Sequence, residues 1–244
     1  AFVSAGNTGA VMAAAIMYLG RIRGIERPSL VAIIPTGDRV VLLLDVGANA
    51  DCKPSYLLQF ARMGSVYLER ALKVERPRLG LLSIGEEEVK GNELVRQAYD
   101  LLQGSDLNFV GNVEGRDILR GVADVVVTDG FTGNVVVKAI EGTADFISSQ
   151  LRGAMRSHWY YLPPALALKG AFEGLRRRMD WREYGAGPLL GVNGLVFIGH
   201  GRSDARAIYS ALRVAREAAV SGMLEALRPP SEAAEPRTQP APQQ

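Results

Sequence analysis

The sequence predicts an α/β fold: a Rossmann-like three-layer α/β/α sandwich with a largely parallel sheet, plus a protruding amphipathic helical hairpin. Three observations carry that expectation. Short apolar, β-branched segments alternate with helical segments through most of the 244 residues. Glycine-rich loops follow several strands, where ligands bind in such folds. One late segment breaks the alternation with cationic and aromatic residues around two prolines.

The elements follow in order. Phe2–Ala5 reads as a strand and Ala10–Leu19 as an Ala-rich helix. Leu30–Ile34 and Val40–Leu44 are apolar strands, turned by Pro35-Thr36-Gly37-Asp38. Ser55–Leu72 is helical, and Leu79–Ile84 is a strand. Gly85 and Glu86–Glu88 are expected to open a helix to about Leu102, because acidic residues suit the positive end of a helix dipole. Leu107–Val110 is a strand, and Gly111–Asp117 a polar loop. Val122–Thr128 is a strand, Val135–Leu151 a helix and Leu195–Ile198 a strand. Ala205–Leu227 reads as one long final helix.

A single domain is expected over 1–228, with the hairpin at about 146–181. Residues 229–244 hold five of the twelve prolines and no large apolar side chain, which predicts a disordered tail. The chain opens on a strand with no lead-in, so it is expected to be N-terminally incomplete. With 48% hydrophobic residues and one cysteine, disordered, collagen-like and disulfide-scaffold classes are excluded. No apolar run approaches the roughly 20 residues of a membrane-spanning helix. The net charge of +2 hides an uneven profile, with an acidic middle at 83–145 and a basic last third.

Two loops share one pattern, Gly-x-Thr-Gly between a strand and a helix: Gly6-Asn7-Thr8-Gly9 and Gly130-Phe131-Thr132-Gly133. Glycines let an anion approach the backbone, the helix start offers free N–H groups, and the Thr hydroxyl adds a donor. Phosphate is the natural guest, although two tight turns with a Thr cap would read the same. Lys90, Lys138 and His200 are the candidate catalytic residues. Lys90 has an alternative role in an ion pair with Glu86 or Glu87; Lys138 could be merely solvated, and His200 could cap the last helix. Asn92, Asn112, Glu114, Asp129 and Asn134 are the polar candidates around the substrate. Gly199-His200-Gly201 begins like a dinucleotide fingerprint but lacks the third glycine. No metal-ligand set appears among two histidines and one cysteine. Cys52 has no evident activating base, so covalent acyl-enzyme chemistry is not expected.

In the hairpin, Trp159, Tyr160 and Leu162 tip a cationic pair of helical stretches, and Leu168, Phe172 and Arg176 belong to the second stretch. Such elements are drawn to anionic membrane surfaces. Dimer packing is the alternative. A nucleic-acid partner is not expected, because no binding motif accompanies the charge.

Taken together, the loops resemble the PlsX family of bacterial phosphate acyltransferases over about residues 1–227. The matching segments are Ser4–Ala10, Leu44–Asn49, Gly85–Glu87, Lys90–Asn92, Gly111–Asp117, Asp129–Asn134, Tyr184-Gly185 through Val192, and His200-Gly201, in order. The resemblance implies a transferase that makes acyl phosphate from acyl-acyl carrier protein and inorganic phosphate, without a cofactor. It implies a homodimer related in fold to phosphate acetyltransferases. It also implies a cytoplasmic protein held peripherally at the membrane, feeding a membrane glycerol-3-phosphate acyltransferase in phospholipid synthesis. Two departures stand out: the family's first strand and loop precede residue 1, and Ser83 stands where the family usually has Asn. The alternatives are a nucleotide-linked decarboxylating dehydrogenase of related fold, or an inactive carrier-protein or membrane-binding module.

Overall fold

Val41, Leu42, Leu43 and Leu44 are all buried, which a strand achieves only with cover on both of its faces. Their side chains alternate. Leu42 and Leu44 join one core cluster, and Val41 and Leu43 another. The computed structural model describes residues 1–37, 39–158 and 183–228 and the single positions 160, 163, 168, 170 and 174.

The strands are β1 (Phe2–Ser4), β2 (Ser29–Thr36), β3 (Arg39–Leu44), β4 (Leu79–Leu82), β5 (Phe109–Val113), β6 (Val125–Val127), β7 (Ala186–Leu190) and β8 (Val196–Gly199). They form one sheet in the order β1-β8-β7-β2-β3-β6-β4-β5. The helices among the described residues are α1 (Thr8–Leu19), α2 (Pro54–Ala71), α3 (Glu93–Gln103), α4 (Gly115–Ile118), α5 (Gly130–Arg156), α6 (Ala205–Val220) and α7 (Met223–Leu227). Residues of α2, α3, α6 and α7 pack on one face, with Val31, Leu44 and Phe197. Those of α1, α4 and α5 pack on the other, with Leu30, Leu43 and Ile198. The three expected layers are present.

Parallel pairing holds for β1 with β8, β3 with β6, β6 with β4 and β4 with β5. In the middle, β8–β7, β7–β2 and β2–β3 are antiparallel. Strands β1, β2 and β8 therefore point one way and β3 to β7 the other. This reversal brings α1 and α5 onto one face running in opposite directions. The far end of α1 reaches Gly194, whose position is hemmed in by Leu19.

Several expected boundaries are corrected. Residues 83–92 form a run of bends and turns, and helix α3 begins only at Glu93. The Asn92 carboxamide caps α3 by accepting the Val95 N–H at 2.9 Å. Gly111, Asn112 and Val113 belong to β5, not to a loop, because Asn112 and Val113 pair with Leu81 and Leu82. The expected final helix is two, α6 and α7, separated at Gly222, whose φ of 69° lies in the left-handed region. Strand β7 has no counterpart among the expected strands. Helix α5 starts five residues earlier and ends five later than expected, at 27 residues. The tail 229–244 and the hairpin residues Trp159, Leu162, Phe172 and Arg176 lie outside the described residues. No helix among the described residues is long and apolar enough to cross a membrane.

Candidate functional site

Four of the residues singled out from sequence turn out to be helix N-caps. Asn7 caps α1, Asn92 α3, Glu114 α4 and Asp129 α5. Each begins a helix just after a strand or turn, where orphan N–H groups need an acceptor. Glu114 and Asp117 form a reciprocal capping box, and Arg116 pairs with Glu114 at 3.2 Å.

The two Gly-x-Thr-Gly loops differ in what they leave available. In the second, the Asp129 carboxylate accepts both the Thr132 N–H at 2.8 Å and the Thr132 hydroxyl at 2.7 Å. An anion is already built into that helix start, and the Thr132 hydroxyl has its proton committed. Gly130 and Gly133 are buried against the Asp45–Asn49 loop. A Cβ on Gly133 would lie 1.9 Å from the Asp45 carbonyl oxygen, and one on Gly130 would lie 2.6 Å from that of Asn49. In the first loop the cap is neutral: Asn7 Oδ1 accepts the Ala10 N–H at 3.1 Å. No acidic side chain occupies the first turn of α1. Gly6, Asn7 and Gly9 are exposed.

Asp45 fixes the docking loop. It is fully buried, and its carboxylate accepts N–H groups from Leu30 at 3.0 Å, Ala48 at 3.1 Å and Asn49 at 2.7 Å. The Asn49 carboxamide adds a bond at 2.8 Å and also reaches the Pro28 carbonyl at 2.7 Å. Burial raises the Asp45 pKa, and these bonds oppose the rise. Nearby Cys52 is half-buried, and its thiol is pushed up to about 12, first by burial and then by the Asp45 charge. A thiol held protonated is a poor nucleophile.

Along α5, Asn134, Lys138 and Glu141 are spaced to share one face. Asn134 meets Gly47 of the docking loop, at 3.8 Å from a Cβ placed there. One turn later, Lys138 Nζ is 3.0 Å from His200 Nε2 and 3.1 Å from Glu141 Oε2. Arg202 is 3.6 Å from the same carboxylate. The ammonium has only protons to offer, so His200 Nε2 accepts from it, while His200 Nδ1 lies 3.5 Å from the Arg202 N–H. Partial burial, then the Lys138 charge, lowers the His200 pKa; Glu141 opposes and Arg202 assists. His200 is thus neutral near pH 7. Gly199 brings this loop to the first Gly-x-Thr-Gly loop, since a Cβ there would lie 3.7 Å from the Ser4 carbonyl oxygen. Lys138 and Arg202 against the one carboxylate of Glu141 make the corner cationic beside the start of α1.

Lys138 and His200 are brought together as a pair. Lys90 is not: it is exposed in the turn after β4, and its N–H bonds the Glu87 carbonyl. Asn112 is buried and donates to that same Glu87 carbonyl at 2.8 Å. It ties the 85–92 turn to the sheet, while its Oδ1 and the Ser83 Oγ have no partner. Glu141, Arg202 and Asp45 were not singled out from sequence. The three-residue spacing of Lys138 and Glu141 was the one signal for Glu141. Tyr160 is half exposed and stacks on His158 at 5.0 Å, and Leu168 is exposed. No cluster of metal-ligating side chains occurs among the described residues.

A model of the fatty acid synthesis protein family matches residues 1–226. A phosphate acyltransferase of Anoxybacillus flavithermus is 51% identical over 229 residues, 93% of this chain and 70% of that protein. One from Dictyoglomus turgidum is 51% identical over 217 residues, 88% of this chain and 65% of that protein. The chain thus spans about two thirds of the length of these relatives. Among solved structures, a phosphotransacetylase from Streptococcus pyogenes superposes with a TM-score of 0.56 at 17% identity, covering 90% of this chain and 63% of that one. A branched-chain phosphotransacylase from Enterococcus faecalis V583 gives 0.55 at 15% identity, covering 89% and 73%. Likeness at that identity is one of fold.

Proposed function

Because the chain belongs to the phosphate acyltransferase family, we propose that it transfers an acyl group from acyl-acyl carrier protein to inorganic phosphate. The observation that carries the reading is the cationic corner where Lys138 Nζ meets His200 Nε2 at 3.0 Å, next to the neutral start of α1.

Phosphate is already nucleophilic at neutral pH, so the protein has to orient it and stabilise charge. A phosphate oxygen attacks the thioester carbonyl carbon, the C–O bond forms, the C–S bond breaks and the thiolate leaves to take a proton. Backbone N–H groups at Thr8 and Gly9 and the Thr8 hydroxyl hold the anion, and Lys138 offsets the charge that develops on the carbonyl oxygen. Orientation contributes roughly 7–11 kcal/mol in the best cases, and one such electrostatic donor about 3–4 kcal/mol. His200, neutral and anchored by Lys138, is placed to relay a proton to the leaving thiolate. Asn134, one turn before Lys138, is a positioning residue, whereas Asn112 serves only to tie the 85–92 turn to the sheet. The product is a mixed anhydride, and its natural consumer is a membrane acyltransferase acting on glycerol 3-phosphate in phospholipid synthesis.

The test is to mix the chain with acyl-acyl carrier protein and phosphate and assay acyl phosphate by hydroxylamine trapping. No acyl phosphate with a folded protein sinks the reading. Labelled acyl groups trapped on Cys52 would overturn direct attack. The cationic aromatic segment at about 146–181 is read as a peripheral contact with anionic membrane at the cytoplasmic face. Phe146 and Ile147 stand exposed on α5 at its base. Undiminished vesicle sedimentation of Leu168→Glu would remove that assignment. The homodimer is checked by sedimentation velocity.

A further inference from the structure

A second cationic feature lies at the other end of α1. Arg21, Glu26 and Arg27 follow that helix, and with Ile16, Pro28 and Tyr56 they line an open cleft of about 410 Å³. Arg21 donates to the Glu26 carbonyl, which fixes the turn. The Glu26 carboxylate is turned to α2, accepting from Ser55 and Gln59 at 3.3 Å each. Among the described residues no carboxylate pairs with Arg21 or Arg27. Lys53 stands over the Tyr56 ring at 5.9 Å and adds a third cation at the rim. The cleft is much larger than a phosphate ion, and Ile16, Pro28 and Tyr56 add a smaller apolar share to a mostly polar lining. It suits an anion carried on an organic chain.

Its position relative to the corner at His200 sets the length of that chain. From Thr8 to Ile16 is eight residues of helix, a rise of roughly 12 Å. Pro28, on the cleft wall, is bonded to Asn49, which is bonded to Asp45 beneath the start of α5. The cleft and the reacting corner thus lie at opposite ends of α1.

We infer that this cleft binds the phosphodiester end of the acyl donor's phosphopantetheine arm, leaving the thioester to reach Lys138 and His200. This rests on the proposed acyl transfer from a thioester. Carrier protein and coenzyme A share the phosphopantetheine arm, closed by a phosphodiester in the first and a pyrophosphate in the second, and the experiment separates them.

Calorimetry with the full chain comes first. Phosphopantetheine should bind at least 10-fold more tightly than pantetheine, and Arg27→Glu should erase the difference while Arg27→Lys keeps most of it. Steady-state rates come second. Arg27→Glu should raise KM about 10-fold for both acyl-carrier protein and acyl-coenzyme A, leaving acyl-pantetheine and inorganic phosphate unchanged. Equal binding of the two arms overturns the inference. So does a loss confined to acyl-carrier protein, which would mean recognition of the carrier's own surface. A uniform loss on all three donors also overturns it. If phosphopantetheine binds through Arg27 but no donor yields acyl phosphate, the inference stands and the proposed reaction falls.

Discussion

The two Gly-x-Thr-Gly loops are near copies in sequence and opposites in chemistry. At the second, glycines are needed because α5 presses onto the Asp45–Asn49 backbone, and Asp129 supplies the negative charge that the helix start attracts. At the first, a neutral Asn7 caps the helix, the glycines are exposed, and the charge must come from outside. One pattern therefore makes a structural joint in one place and, in the proposed reading, an open anion seat in the other. What separates them is the cap and its place: Asn7 is the second residue of its pattern, whereas Asp129 precedes its own, so α5 starts two pattern positions earlier than α1.

That contrast can be broken in order of expected effect. Lys138→Met removes the cation that serves the first loop. Acyl phosphate formation should fall by about 100- to 1,000-fold in turnover assays, with the melting temperature nearly unchanged. Gly133→Ala forces a Cβ into the Asp45 carbonyl and should cost about 3 kcal/mol or more in urea unfolding. Its counterpart Gly9→Ala, 3.3 Å from Asn7 Oδ1, should stay within about 1 kcal/mol. A large loss from Gly9→Ala would erase the distinction. Asn7→Asp places a carboxylate in the seat and should raise the KM for phosphate about 10-fold, a difference of about 1.4 kcal/mol. Asp129→Asn should leave that KM alone, and the reverse outcome would move phosphate to the second loop.

The pH dependence is a subtler probe. His200 titrates below its ordinary 6.5, so folding favours its neutral form. Its contribution to stability is complete above that value and is lost as pH falls through 6.5 toward the depressed pKa. The acid limb of the rate profile should lie below pH 6.5 and move upward in Lys138→Met. With two histidines in the chain, proton NMR resolves the titration directly. The smallest effect is expected from Ser83→Ala. Its hydroxyl is buried without a partner, so denaturation should change by less than about 0.5 kcal/mol.

The layers were legible in sequence because runs such as Val40–Leu44 are apolar at every position. The reversal of direction was not. Ala186-Gly187-Pro188-Leu189-Leu190 holds a glycine and a proline, which disfavour a strand, yet it pairs with both β2 and β8. Glu86–Glu88 looked like the acidic first turn of a helix, but Gly91, at a φ of 103°, and the Asn92 cap delay that helix. The site was legible in part. Strand-then-glycine patterns located both loops, and Lys138 and His200 were each picked out alone. Their meeting across 62 residues was invisible, as was Thr132 spending its hydroxyl on Asp129, which depends on side-chain direction.

The pairing of β1 with β8 joins Phe2 to Val196. A contact between residues so distant in the chain is among the most expensive in loop-closure entropy and forms slowly. On the ribosome, β1 has to wait until nearly the whole sheet has emerged before it finds its neighbour. The Ser4–Gly9 seat is expected to be the last part of the molecule to gain hydrogen-exchange protection during refolding, well after Asp45 and the start of α5. Early protection of the Thr8–Val11 amides in pulse labelling would refute that order. If the order holds, a chain made as far as the end of α5 already has the Asp45 joint, while its Ser4–Gly9 loop still waits for β8.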